Sequence, residues 1–184
     1  MKNLKDILYR VSIIQVFGFT DVEVNSLVFD SRKVEKNGVF VAQKGVRFDG
    51  HSYIEKASSL GAVAIICEDF PTYKKEGVTY IQVSDSNLAL AIMASNFYNN
   101  PSKMLSLVGV TGTNGKTTIA SLLYQLFKKA GYKVGLLSTV KILVDETEFK
   151  ATHTTPDSVT INSYLDKMIE SGVDYCFMEV SSHG

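Results

Sequence analysis

Apolar residues follow two spacings along this chain, and the two alternate. Strand-like runs fall at 26–29, 38–42, 62–67 and 79–83, the second and third of them apolar throughout, as a strand covered on both faces allows. Residues 53–60 and 86–98 carry apolar side chains at helical spacing, and 4–10 predicts a short opening helix. Asn99, Asn100, Pro101 and Ser102 break this series with a turn-rich run, which predicts a domain boundary: residues 1–100, then 101–184. A second series follows, with strand 105–110, helix 117–130, strand 133–137, an irregular stretch, helix 158–171 and strand 175–180. Strands alternating with helices predict open α/β sheets in both parts. Three parallel strands with an uncovered far edge would expose apolar surface, so the second series is expected to be the first part of a longer domain.

Composition narrows the classes. The 184 residues are 45% hydrophobic and 21% charged, enough to bury a core. Lys+Arg and Asp+Glu balance at 19 each, so neither nucleic acid nor an anionic membrane is expected as a partner. The apolar tract 11–19 is interrupted by Ser12, Gln15 and Gly18 and is shorter than the roughly 20 residues of a membrane span, so a cytoplasmic protein is expected. Cys67 and Cys176 each lie in an apolar, strand-like run, which predicts reduced buried thiols rather than a zinc or redox site.

The densest chemistry lies in LSLVGVTGTNGKTT, where an apolar run stops at a glycine-rich turn before a helix. That is the build of a phosphate-binding loop. Glycines let backbone N–H groups close around phosphate oxygens, a lysine reaches the β and γ phosphates, and the next hydroxyl can ligate Mg²⁺. The strict GxxxxGK[ST] spacing fails, since Val110 stands where it wants glycine; the variant places Gly112 inside the loop. Gly112, Thr113, Asn114, Gly115, Lys116, Thr117 and Thr118 are therefore the candidate phosphate-binding residues, with Lys116 as the cation that follows the moving charge. In an open parallel sheet, ligands collect beyond the carboxyl ends of the strands, where Glu179, Ser181, Ser182 and His183 fall. Glu179 is a candidate Mg²⁺ ligand beside Thr117, and His183 a candidate for a second metal or a phosphate. Before the helix at 158, Thr155 reads as an N-cap with Pro156 at the first helical position, and such a cap can also bind an anion. In the first part, Asp30, Ser31 and Arg32 end one strand, and Val46, Arg47 and Phe48 follow the next. A hydroxyl, an arginine and a ring there can hold a nucleobase and a diphosphate; alternatively Asp30 and Arg32 pair with each other.

The loop TGTNGKTT, the segment THTTPDS, the strand end MEVSSHG and the pattern FDSRKVEKNGVFVAQKGVRFDGHSYIEKASSLGAVAIICED, in this order, resemble the Mur ligases, and within them the UDP-N-acetylmuramoyl-tripeptide synthetases. The resemblance covers nearly all of the chain. It implies a small N-terminal α/β UDP-binding domain followed by the first part of a Rossmann-like, ATP-binding domain. It also implies a monomeric, ATP- and Mg²⁺-dependent amide ligase of peptidoglycan precursor synthesis. Such a ligase phosphorylates the glutamate carboxylate of UDP-N-acetylmuramoyl-L-Ala-D-Glu and joins a free amino acid, diaminopimelate or lysine, through the acyl phosphate. By position, the resemblance puts Ser31, Val46, Arg47 and Phe48 at the UDP moiety, Gly112 to Thr118 at ATP, and Thr154, Thr155 and Ser181 at the muramoyl peptide. Thr117, Glu179 and His183 fall at magnesium. The family's carbamoylated lysine and its amino-acid-selecting domain have no counterpart in these residues, so they are expected to bind without completing a turnover. Two other readings use the same loop: a UDP-sugar or nucleotide-binding module, and a ligase of the folylpolyglutamate synthetase type.

Overall fold

In the computed structural model, which describes residues 1–45, 49–150 and 156–181, the chain divides into two units, Met1–Phe97 and Tyr98–Gly184, each with its own five-stranded sheet. Among the described residues no helix is long and apolar enough to cross a membrane.

The first unit opens with β1 (Lys2–Asn3) and α1 (Leu4–Ile7). The predicted helix 4–10 stops at Ile7, since Val11 N bonds back to Leu8 O and Arg10 turns to a positive φ of 65°. Then come β2 (Ile13–Phe17), β3 (Glu23–Val24), β4 (Ser26–Val28), β5 (Gly38–Val41), α2 (Ile54–Ser59), β6 (Ala64–Cys67), β7 (Thr79–Val83) and α3 (Ser86–Phe97). The sheet runs β2-β7-β6-β5-β4; β4 to β7 are parallel, and β2 joins antiparallel at the edge. The apolar runs 38–42 and 62–67 hold strands buried at every position, β5 and β6, as their lack of alternation predicts. Phe40, Ile65 and Tyr80 pack with Ile54 and Ala57 of α2, while the alternate residues Val39, Val41, Ile66 and Ile81 are equally buried. The strand β2 was not predicted; it lies in the tract 11–19 and keeps all five residues exposed.

The second unit contains β8 (Ser106–Val110), α4 (Lys116–Lys129), β9 (Val134–Leu137), β10 (Lys141–Val144), β11 (Thr147–Lys150), α5 (Ser158–Glu170) and β12 (Tyr175–Glu179). Its sheet order is β11-β10-β9-β12-β8, with β9, β12 and β8 parallel. The irregular stretch of the sequence reading is in part a hairpin, β10–β11, which extends the sheet antiparallel beyond β9. The sheet therefore has five strands rather than three, and the far edge at β9 is paired. Chain order fixes the layers. Because β12 inserts between β8 and β9, the two crossover helices cover opposite faces. Ala120 and Tyr124 of α4 pack on Leu136 and Phe177, whereas Leu165 and Met168 of α5 pack on Leu137 and Cys176. Both cysteines are free and buried, and burial pushes each thiol up to about 12.

One predicted cap is corrected. The α5 N-cap is Asp157, whose Oδ1 accepts the Thr160 N–H at 2.9 Å and whose Oδ2 accepts the Thr160 hydroxyl at 2.7 Å. Helix geometry begins at Ser158, so the capping position belongs to a carboxylate two residues beyond Thr155.

Candidate functional site

Strand β8 ends at Val110 and α4 begins at Lys116, so TGTNG forms the turn between them. Gly112 and Gly115 take φ values of 145° and 78°, which L side chains rarely adopt, and glycine is required there for its backbone alone. Gly115 is the α4 N-cap and supplies no side-chain acceptor, which leaves the first-turn N–H groups pointing out of the helix end. A helix N-terminus built this way carries partial positive charge and open donors, the requirements of a phosphate site. Lys116 Nζ folds back to donate to Gly112 O at 2.8 Å, so its ammonium lies over the loop.

Strand register brings the carboxylate to the same place. Glu179 of β12 pairs with Val110 of β8, the last strand residue before the loop. Side chains alternate along β12: Cys176 packs toward α5 and Phe177 toward α4, so Glu179 shares the α4 face. Its Oε2 accepts the Thr117 hydroxyl at 2.9 Å, the Thr139 hydroxyl at 3.0 Å and the Thr139 N–H at 3.2 Å. Burial raises the Glu179 pKa, and it is the largest single influence. The Thr139 N–H, the Thr117 and Thr139 hydroxyls and the Lys116 charge together outweigh it, holding the group below the usual carboxylate range. The carboxylate is ionised at neutral pH. A hydroxyl and a carboxylate in contact at a helix N-terminus are hard oxygen donors of the kind that suits Mg²⁺. Thr139 was missed by the sequence reading. It follows β9 by two residues, and its signal is positional: a hydroxyl residue beyond a parallel strand on the loop's sheet edge.

The structure thus brings together Lys116, Thr117 and Glu179. Ser181, two residues beyond Glu179, lies on the same edge. Thr154, Thr155 and His183 lie outside the described residues, as do Val46, Arg47 and Phe48.

In the first unit, a pocket of about 560 Å³ is lined by Phe29, Asp30, Ser31, Arg32, Gln43, Gly45, Gly50, Tyr53 and Lys56. Volumes of roughly 300–1,000 Å³ are usual for small-molecule sites. Ser31 is buried in a short 3₁₀ turn after β4, which Asp30 caps by accepting the Arg32 N–H at 3.0 Å. Asp30 and Arg32 pair with each other: Arg32 Nε and Nη2 each reach the Asp30 carboxylate at 2.9 Å. The Arg32 hydrogen bonds hold Asp30 at about 2, so it stays ionised through the physiological range. Sequence reasoning missed Tyr53, Phe29 and Lys56, two half-exposed aromatic rings and a second cation at the pocket wall.

Residues 110–184 match the Mur ligase middle domain, and residues 23–98 match the domain described as the Mur ligase family catalytic domain. The UDP-N-acetylmuramoyl-L-alanyl-D-glutamate–2,6-diaminopimelate ligase of Cytophaga hutchinsonii is 54% identical over 181 residues, 98% of this chain and 37% of that protein. A solved structure of a ligase of that name superposes on all of this chain with a TM-score of 0.79 at 23% identity, over 36% of its own length. The MurF ligase of Thermotoga maritima, solved in complex with ADP, has a TM-score of 0.56 and 28% identity over 86% of this chain and 32% of its own. The chain therefore spans about a third of each of these proteins.

Proposed function

The chain belongs to the Mur ligase family, and from that premise we propose that it forms the UDP-substrate-binding and phosphate-binding parts of an ATP-dependent ligase. The ligase extends UDP-N-acetylmuramoyl-L-Ala-D-Glu by one amino acid. The name of the Cytophaga hutchinsonii relative favours diaminopimelate as that amino acid. The supporting observation is the contact of the Thr117 hydroxyl with the Glu179 carboxylate at 2.9 Å, at the N-terminus of the helix that Lys116 opens. Neither residue type serves a plain strand-to-helix turn.

In this reading Gly112, Thr113, Asn114, Gly115 and Thr118 wrap the ATP phosphates with their backbone N–H groups. Thr117 and Glu179 hold Mg²⁺, with His183 toward a second ion. An Mg²⁺ held by these residues would neutralise charge on the transferring phosphoryl group. Lys116 follows that charge from the leaving diphosphate side, since its flexible ammonium already reaches over the loop. Ser31, with Val46, Arg47 and Phe48, holds the UDP end of the substrate. Thr154, Thr155 and Ser181 orient its peptide end so that the glutamate carboxylate meets the γ phosphate. Phosphorylation gives that carboxylate a leaving group, which the amine of the incoming amino acid then displaces. A cytoplasmic enzyme fits this chemistry, because ATP and UDP-linked precursors are cytoplasmic metabolites.

Calorimetry on the 184-residue protein tests the reading. UDP-N-acetylmuramoyl-L-Ala-D-Glu should bind without nucleotide, and ADP should bind more tightly with Mg²⁺ than without. Lys116→Ala should weaken ADP by at least about tenfold, the scale of a lost charge-assisted contact, and leave the UDP ligand unchanged. Failure of both ligands to bind, or loss of the UDP ligand on Lys116→Ala, would overturn it.

A further inference from the structure

His51 is held at both ring nitrogens by groups from two different segments. Nδ1 lies 2.7 Å from Asp49 Oδ1, and Nε2 lies 2.9 Å from Glu68 N and 3.2 Å from Asp69 N. Backbone N–H groups only donate, so Nε2 accepts from both, and the ring proton sits on Nδ1 and is donated to Asp49. The ring is therefore neutral in this arrangement. Its side chain is 14% exposed.

The two segments it joins matter to the Ser31 pocket. Glu68 and Asp69 directly follow β6 at the carboxyl end of the sheet. Gly50, next to His51, lines the pocket together with Gln43 and Gly45. Gly50 N donates to Gln43 O at 2.8 Å, and a Cβ at Gly50 would stand 2.7 Å from Gln43 N, so the two sides of this wall touch backbone to backbone. Lys44 and Asp49 form a β-bridge across the same wall. His51 fastens this wall to the end of β6 through its ring, alongside the Lys44 ammonium, which reaches Asp69 at 2.7 Å.

We propose that His51 is a positioning residue for the UDP pocket, working only as the neutral Nδ1–H ring, so that its protonation releases the pocket wall and weakens the UDP ligand. A proton on Nε2 would set an N–H against two N–H donors and cost both hydrogen bonds. This inference rests on reading the Ser31 pocket as the UDP site. The charged and titratable groups facing the ring are Asp49 on its own turn and Glu68 and Asp69 beyond β6. Lys44 pairs with Asp69 at 2.7 Å and Glu68 at 3.8 Å, and Glu55, Tyr73, Lys75 and Tyr80 line a cavity together with His51. Of these residue types, only histidine ordinarily changes charge near pH 6.5.

The test is calorimetry of UDP-N-acetylmuramoyl-L-Ala-D-Glu on the 184-residue protein at about pH 8 and about pH 5.5. The ligand's pyrophosphate is a diester and its carboxylates titrate near pH 4, so its own charge is constant across this window. The wild type should bind about tenfold more weakly at the lower pH, the scale of two lost hydrogen bonds. His51→Gln places an oxygen where Nε2 sits, accepts the same N–H groups and cannot take a proton. It should bind within a few-fold of wild type at pH 8 and show no loss at pH 5.5. Nitrogen NMR of the wild-type ring, independent of any variant, should show the Nδ1–H tautomer at pH 8 and a titration midpoint matching that of affinity. A flat wild-type profile, an equal loss in His51→Gln or the opposite tautomer overturns the inference while leaving the UDP site intact. Absence of binding at pH 8 overturns both.

Discussion

Thr139 shows how a single side chain can matter without touching substrate. Its N–H and hydroxyl both end on Glu179 Oε2, the oxygen that also takes the Thr117 hydroxyl. Three donors on one oxygen hold the carboxylate ionised and fix its direction. Thr139→Val keeps the shape and the backbone N–H but removes the hydroxyl, a loss of about 1 kcal/mol for one hydrogen bond to a charged group of modest exposure. The expected outcome is that the gain in ADP affinity on adding Mg²⁺ falls about fivefold, while Mg²⁺-free ADP binding is unchanged. Titrating ADP with and without Mg²⁺ separates the two; an equal loss in both would make Thr139 a residue of the loop's stability, not of the carboxylate's aim. Lys116, Thr117 and Glu179 were legible in the sequence because a glycine-rich turn and a strand-end acid announce themselves by residue type. Thr139 was not, since a lone threonine after a strand has no such signature and only the β9–β12 register puts it beside Glu179.

At the scale of elements, buried parallel strands were read closely and exposed or antiparallel ones were not. The run at 79–83 matches β7 residue for residue because its ends are cut by Gly77 and by the Asp85 turn, whose carboxylate accepts the Asn87 and Leu88 N–H groups at 2.9 Å. Strand β2 was missed because apolar residues exposed on both faces, such as Ile14 at 61% and Phe17 at 51%, do not follow the buried-strand pattern. The hairpin β10–β11 was missed because its turn is Asp145-Glu146 rather than the Asn-Gly or Asp-Gly that usually marks one. Asp145 nonetheless adopts a φ of 50°, and Tyr124 of α4 donates its hydroxyl to Asp145 O at 2.8 Å, so tertiary contact supplies what local sequence lacks. The α5 cap was misplaced by two residues because Thr, Thr and Asp are all competent caps and Pro156 favoured the earlier start. The observed cap makes a sharp prediction. Asp157→Ala should destabilise the second unit by about 1 kcal/mol, and Asp157→Asn, which keeps an acceptor, should lose only a fraction of that. Urea unfolding followed by circular dichroism measures both, and equal losses would assign Asp157 a purely electrostatic role.

For the molecule as a whole, the question is whether the two sites depend on one another to form. The first unit holds its own five-stranded sheet, the core around Phe40, Ile65 and Tyr80, and a pocket whose lining falls entirely within Met1–Phe97. Polar contacts within the unit close its sheet end: Ser86 N and Oγ donate to the Glu68 carboxylate, and Gln82 donates to Glu68 O, beside the contacts of His51. A unit with its own core and satisfied sheet end meets the physical conditions for independent folding. Residues 1–97 alone should therefore unfold in one cooperative transition and bind UDP-N-acetylmuramoyl-L-Ala-D-Glu without ATP, more weakly than the 184-residue protein by the contacts of Thr154, Thr155 and Ser181 that they lack. They should not bind ADP, whose proposed loop begins at Gly112. Ser31→Ala should weaken the UDP ligand by about 1 kcal/mol, one hydrogen bond's worth, with no change in ADP affinity in the 184-residue protein. Calorimetry on both lengths decides the matter. If Ser31→Ala weakened ADP and spared the UDP ligand, the nucleotide-sugar site would lie elsewhere, and with it would fall the reason to prefer a muramoyl-peptide ligase over a folate-type one.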